Sequence, residues 1–227
     1  NTLKAFYGVL KSADADLRFT MLTGVTKFGK VSVFSDLNNL EDISMNSQFH
    51  SICGISEEEL HEYFDEEVAE LASQNSMTKE YAYEELRANY DGYHFCENTM
   101  GMYNPFSILL TLKNRTFDDY WFATGTPTYL VELLKKTDFH LEDLTSMAVD
   151  VDTLDSIHRA DINPIPVLFQ SGYLTIKGYD KEFDVYTLDY PNDEVRKGFV
   201  KFLLPYYVYC RDSAQKVIIR DFVLSLR

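Results

Sequence analysis

Residues 164–195 read Pro164-Ile-Pro-Val-Leu-Phe-Gln-Ser-Gly-Tyr-Leu-Thr-Ile-Lys-Gly-Tyr-Asp-Lys-Glu-Phe-Asp-Val-Tyr-Thr-Leu-Asp-Tyr-Pro-Asn-Asp-Glu-Val195, and their layout decides the fold. The apolar run Pro166–Ser171 predicts a short helix. Tyr173–Lys177 and Phe183–Leu188 are rich in β-branched and aromatic residues and predict two strands, joined by a turn at Gly178–Lys181. Asn192 or Asp193 then offers a side-chain oxygen to cap a helix from Glu194 to Tyr206.

A short helix followed by a two-stranded wing is the outline of a winged-helix module. Working outward, residues 141–163 are acidic and poorly periodic, and they read as a connector. Residues 31–140 carry helical grammar. Ser56 with Glu59 makes a capping box before the apolar stripe Leu60, Phe64, Val68 and Leu71. Thr78 caps a helix with Tyr83, Leu86 and Tyr90 on one face, stopped by Gly92. Asn104-Pro105 and Thr126-Pro127 repeat one device, a cap residue followed by proline at the first helical position. They open helices over Phe106–Leu112 and Tyr129–Lys136. Residues 1–17 predict an amphipathic helix, and 18–25 a short buried strand that could be the last strand of an α/β sheet.

The expected fold is therefore mainly α with a minor α/β part, in four stretches. Residues 1–45 form a remnant of an α/β core, 46–150 a helical subdomain, and 151–210 a winged-helix-like module. Residues 211–227 begin a linker or a following domain. Both ends fall inside helical patterns, which leads to the expectation of a longer polypeptide.

Composition bounds the function. The chain has 227 residues, 45% of them hydrophobic, with 16 Tyr and 16 Phe, enough apolar material for a sizeable core. The formal net charge is -15, a field that repels phosphate backbones and argues against direct nucleic-acid binding. The three cysteines (Cys53, Cys96, Cys210) form no CxxC pair, and no signal peptide is evident, which points to a reducing, cytoplasmic setting. No apolar run approaches the ~20 residues of a membrane span.

Three candidate sites emerge. Gly24-Val-Thr-Lys-Phe-Gly29-Lys30 fits a phosphate-loop pattern. However, Val31 stands where Ser or Thr must hold Mg²⁺, and Val31-Ser-Val-Phe34 favours extended chain over a helix start, so the match reads as accidental. A polar cluster, Thr20, Thr23, Thr26 and Lys27, sits at the end of the expected strand, where nucleotide-binding sheets place their ligands. The third is a pair of aromatic-polar knots, Tyr90-Asp-Gly-Tyr93 and Tyr120-Trp-Phe-Ala-Thr-Gly-Thr-Pro-Thr128, whose simpler reading is core packing around helix starts. His94 and His140 lack neighbouring ligands, so no metal site is expected. No catalytic triad or dyad spacing is present.

Several of these words, in order, resemble a family of AAA-ATPase-like proteins of anaerobic bacteria. They are Met21 to Leu40, Tyr90-Asp-Gly-Tyr-His-Phe95, Tyr103-Asn-Pro-Phe-Ser107, Tyr120 to Thr128, Gln170-Ser-Gly-Tyr-Leu-Thr175 and Tyr190-Pro-Asn-Asp-Glu-Val195. The motif residues are thus Asp91, Tyr93, Asn104, Pro105, Trp121, Thr124, Gly125, Thr126 and Pro127. The resemblance implies a P-loop ATPase whose phosphate loop and Walker B strand precede this segment, often with a restriction-endonuclease-like domain after it. Those two parts would be this segment's partners within one polypeptide. It also implies that Thr23 is sensor-like, with Thr26 and Lys27 beside it near the phosphates. Residues 50–140 would be the lid and 164–206 the winged-helix-like part. ATP and Mg²⁺ are expected only for the full-length protein. The segment itself would hold no catalytic residue. Two further readings stay open, a protein-interaction module without nucleotide and a winged-helix DNA-binding module. A genuine phosphate loop at Gly24–Lys30 is a third.

Overall fold

The computed structural model describes residues 8–10, 12–24, 41–123, 128–137, 147–155 and 163–207. Helices dominate: α1 Glu57–Tyr63, α2 Asp65–Gln74, α3 Lys79–Tyr90, α4 Pro105–Asn114, α5 Tyr120–Ala123, α6 Thr128–Lys136, α7 Val151–Asp155, α8 Ile165–Gln170 and α9 Asp193–Tyr207. Three short strands, β1 Met147–Asp150, β2 Thr175–Asp180 and β3 Val185–Asp189, form one antiparallel sheet in the order β1-β3-β2. Among the described residues, no helix is long and apolar enough to cross a membrane.

Local chemistry explains three of the helix starts. The Ser56 hydroxyl accepts from Glu59 N–H while the Glu59 carboxylate accepts from Ser56 N–H, satisfying two donors that a helix start leaves open. Thr78 caps α3 through Tyr81 N–H. The Asn104 side chain accepts from both Phe106 and Ser107 N–H, and Pro105 occupies the first helical position, where it needs no donor. Asn104→Ala should therefore cost about 1–2 kcal/mol, read as a shift in the urea unfolding midpoint with unchanged slope. A stability unchanged within a few tenths of a kcal/mol would remove the cap from the account.

Two apolar clusters organise the packing. The first joins α1 to α4 through Leu60, Val68, Leu71, Leu86, Tyr103 and Ile108, among others. The second joins α6, the sheet, α7, α8 and α9, with Leu134, Leu154, Leu168, Leu188 and Phe199 among its most buried members. On α9, Val195, Phe199 and Leu203 recur every fourth residue and form one inward stripe.

Four expectations change. The stripe from Leu60 to Leu71 is two helices, because the backbone at Phe64 (φ -126, ψ 13) leaves the helical region between α1 and α2. The strand expected over 18–25 is not formed in its described part: residues 19–24 pair with no described strand, and Phe19 is 80% exposed. A strand is stabilised by a neighbour that takes its N–H and C=O groups, and an apolar run cannot supply one. Residues 141–163 are more than a connector, since they carry β1 and α7, and β1 pairs with β3 (Val149 opposite Tyr186). Finally, α6 and β1 pack into the second cluster, so the apolar cores divide the chain ahead of residue 150. The predicted hairpin is present, with its strands lying one to three residues later than expected. A bulge at Lys177 separates the Ile176–Leu188 pair from the Gly178–Thr187 pair.

Candidate functional site

Some of the residues singled out in the sequence, Asp91, Tyr93 and Trp121 among them, lie along the seam between the two clusters. Helix α3 ends at Tyr90, and the chain turns at Gly92 with φ +99. There it runs hard against Pro191: a Cβ on Gly92 would lie 2.2 Å from the Pro191 carbonyl oxygen. The Asn192 side chain ties these loops, donating to Asp91 O at 3.0 Å while accepting from Val195 N–H at 3.1 Å to cap α9. The bulge at Lys177 redirects its side chain, and the ammonium donates to Gly92 O at 3.1 Å and to Pro191 O at 3.0 Å. Burial lowers the Lys177 pKa, and the Asp189 and Asp91 carboxylates oppose that effect.

Further along, Thr175 Oγ1 accepts from His94 N–H (2.7 Å) and donates to His94 O (3.0 Å), fastening β2 to the loop after α3. Tyr93 pairs its backbone with Met102, and its ring, like that of Trp121, lies against Gly172. Trp121 packs on Tyr173 with ring centroids 5.0 Å apart. Asp91 Oδ1 and the Tyr93 hydroxyl are buried without a well-formed hydrogen bond among the described residues, although Asn104 and Asn192 lie beside the Tyr93 hydroxyl. Burial raises the pKa of both groups.

Glu194 stands at the centre of this seam. Its carboxylate, 1% exposed, accepts from Ser107 Oγ (2.8 Å) on α4 and from Trp121 N–H (2.8 Å) on α5. No described Lys, Arg or His pairs with it. Burial pushes its pKa up to about 7, the two donors pull it down, and Asp119 and Asp118 push it further up. The folded chain thus holds this proton more tightly than the unfolded chain does. The resulting stability is fully present below the ordinary carboxylate pKa near 4.5 and is lost as pH rises through about 7. Over that window, wild type should lose up to about 3 kcal/mol relative to Glu194→Gln, measured by urea unfolding at a series of pH values. Parallel stability curves for the two proteins would contradict this.

Of the predicted site residues, the structure therefore brings Asp91, Tyr93, Asn104 and Trp121 to one seam, while Pro105 opens the neighbouring helix α4. Thr23 is exposed and belongs to no described helix or strand. Thr26 and Lys27, the rest of Gly24–Lys30, and Thr124, Gly125, Thr126 and Pro127 lie outside the described residues. Sequence reasoning met Ser107 and Thr175 only as the last residues of two motif words, and Lys177 only as the end of a strand, never as seam contacts. It met Glu194 only inside the word Tyr190 to Val195. Among the described residues no three His, Cys, Asp or Glu side chains are disposed to hold a metal. An open depression of about 480 Å³ beside the seam is lined by Arg87, Asp91, Asp189, Asn192, Asp193 and Arg196, so acids outnumber bases there. The seam's polar groups are largely spent on one another, and its chemistry is that of a joint between two packed bodies.

Over 209 residues the chain is 39% identical to a protein of Azotobacter chroococcum mcd 1 described as an uncharacterized protein in the vnfD 5' region. The match covers 91% of this chain and 38% of that protein, so the chain spans about two fifths of its relative's length. No family model matches, and no solved structure matches.

Proposed function

We propose that this chain is the lid and winged-helix-like part of an AAA-ATPase-like protein, a segment that senses and relays nucleotide state without carrying the hydrolytic groups. The observation that carries the reading is the order of elements in the second cluster. Helix α6, strand β1, helices α7 and α8, then the β2–β3 hairpin with β3 central, is the connectivity expected of a winged helix. The resemblance carried by the words from Met21 to Val195 adds the ATPase context. In this reading the remaining polypeptide supplies the phosphate loop, ATP and Mg²⁺, and the reaction is phosphoryl transfer to water. Thr23, Thr26 and Lys27 would face the nucleotide. The seam would make lid and winged-helix part respond together.

The same arrangement counts against the DNA-binding alternative. The helix in the usual reading position, α8, has the sequence Ile-Pro-Val-Leu-Phe-Gln, carries no basic residue, and buries Ile165 to Leu168. A duplex reader needs Lys or Arg on that face, and the net charge of -15 opposes approach. The interaction-module alternative draws on one feature, the aromatic tip of the hairpin turn, where Phe183 is 70% exposed.

The test is steady-state ATP turnover by the full-length polypeptide carrying Thr23→Ala or Lys27→Ala. A fall of roughly tenfold or more is expected if these groups meet developing phosphate charge. Unchanged turnover in both variants would favour the interaction module.

A further inference from the structure

We infer that Glu194 is a proton-controlled latch, seating helix α9 against α4 and α5 when its carboxyl is neutral and loosening that seat when it is ionised. The latch is a property of this chain's own packing and does not depend on the ATPase reading. Its geometry is specific. One side chain at the start of α9 in the second cluster reaches Ser107 on α4 and the Trp121 N–H at the start of α5. The Ser107 contact crosses to the first cluster, Trp121 lies at the seam packed against the second cluster, and both donors are uncharged.

In the neutral form one oxygen carries the proton and can donate to Ser107 Oγ, while the other still accepts from Trp121 N–H. Every group keeps a partner and no charge is buried. In the ionised form a full negative charge sits in the seam with two neutral donors to hold it, and an enclosed carboxylate without a cation is costly. The charges facing it do not relieve that cost. Asp118 and Asp119 approach from the segment leading into α5, and Lys201 on α9 pairs with Asp119. On α9 itself, Arg196 and Lys197 both pair with Asp193. From the α3 side the titratable neighbours are the hydroxyls of Tyr90 and Tyr93, each held in its neutral form by burial. Ionisation of Glu194 therefore drives α9 away from α4 and α5, while the stripe Val195, Phe199 and Leu203 keeps α9 in its own cluster.

The chain contains a reporter, since Trp121 is its one tryptophan, and that residue's N–H is the Glu194 donor. The experiment is the fluorescence of the 227-residue chain titrated from about pH 5 to about pH 9, beside Glu194→Gln, with circular dichroism confirming that each stays folded. The expected result is a tryptophan signal that titrates with a midpoint near 7 in wild type and is flat in Glu194→Gln, whose amide keeps both contacts without a charge. A flat wild-type signal overturns the latch, as does an unchanged titration in Glu194→Gln, which would assign the transition to a histidine. Should Glu194→Gln fail to fold, Ser107→Ala serves in its place. Removing a donor that favours the carboxylate should move the midpoint upward, and an unmoved midpoint overturns the inference.

Discussion

Gly92→Ala should destabilise the chain by about 3–5 kcal/mol, more than any surface change and enough to part the two clusters at moderate denaturant. Two effects add at this position. A φ of +99 lies in the left-handed half of backbone space, which an L side chain rarely adopts. The added methyl would also lie 2.2 Å from the Pro191 carbonyl oxygen and 3.0 Å from Lys177 Nζ. The first neighbour is backbone and cannot rotate away, so the 91–93 loop must retreat from 190–192. That retreat breaks the Lys177 bonds to both carbonyls and the Asn192 bond to Asp91. Urea unfolding of the variant measures the loss, with Gly8→Ala as the control, since a Cβ there would meet nothing within 4 Å. In that helical position alanine should be neutral or slightly stabilising. A Gly92→Ala cost below about 1 kcal/mol would mean that the close approach of the two loops is not part of the native state.

The loop's dependence on glycine also shows where the sequence is readable. Ser56, Thr78 and Asn104 are legible because each cap bonds an amide two or three residues away, so the chemistry is complete within a short word. The hairpin and α9 are legible for the same reason. Strand β1 is not, because Met147–Asp150 becomes a strand only by pairing with Val185–Leu188, far along the chain. Residues 19–24 are the reverse case: a strand-like apolar run that pairs with no described strand, since its expected sheet would come from outside this segment. Glu194 is the sharpest case. Within Asn192-Asp-Glu it reads as one of several acids favoured at a helix start. Its burial arises from Ser107 and Trp121, 87 and 73 residues away. Some motif residues, Asp91, Tyr93 and Trp121, lie at the seam, yet the contacts they make there, loop to loop, depend on distances that no local pattern encodes.

Phe199→Ala should cost about 3–5 kcal/mol, the range for truncating a buried aromatic residue when the surroundings cannot close the void. Phe199 is 1% exposed and sits midway along the α9 stripe. Its ring lies 5.3 Å from that of Tyr173 and 5.8 Å from that of Tyr190, at tilted angles that suit aromatic pairs. Tyr173 in turn packs on Trp121, so the aromatic chain Trp121, Tyr173, Phe199 runs from the seam into the second core. Removing its inner member leaves α9 without its central anchor and lets the Glu194 end shift. Two signals should therefore change together: the urea midpoint falls, and the tryptophan emission moves toward that of a solvated indole. Phe199→Leu, which refills part of the volume, should recover most of the loss. Phe183→Ala, at the exposed hairpin tip, should stay within about 0.5 kcal/mol of wild type. A loss in Phe199→Ala with unaltered tryptophan emission would separate core from seam and show that α9 is seated by its stripe alone. A stability close to that of Phe183→Ala would instead remove α9 from the second cluster, and with it the basis for treating the two bodies as joined through this helix.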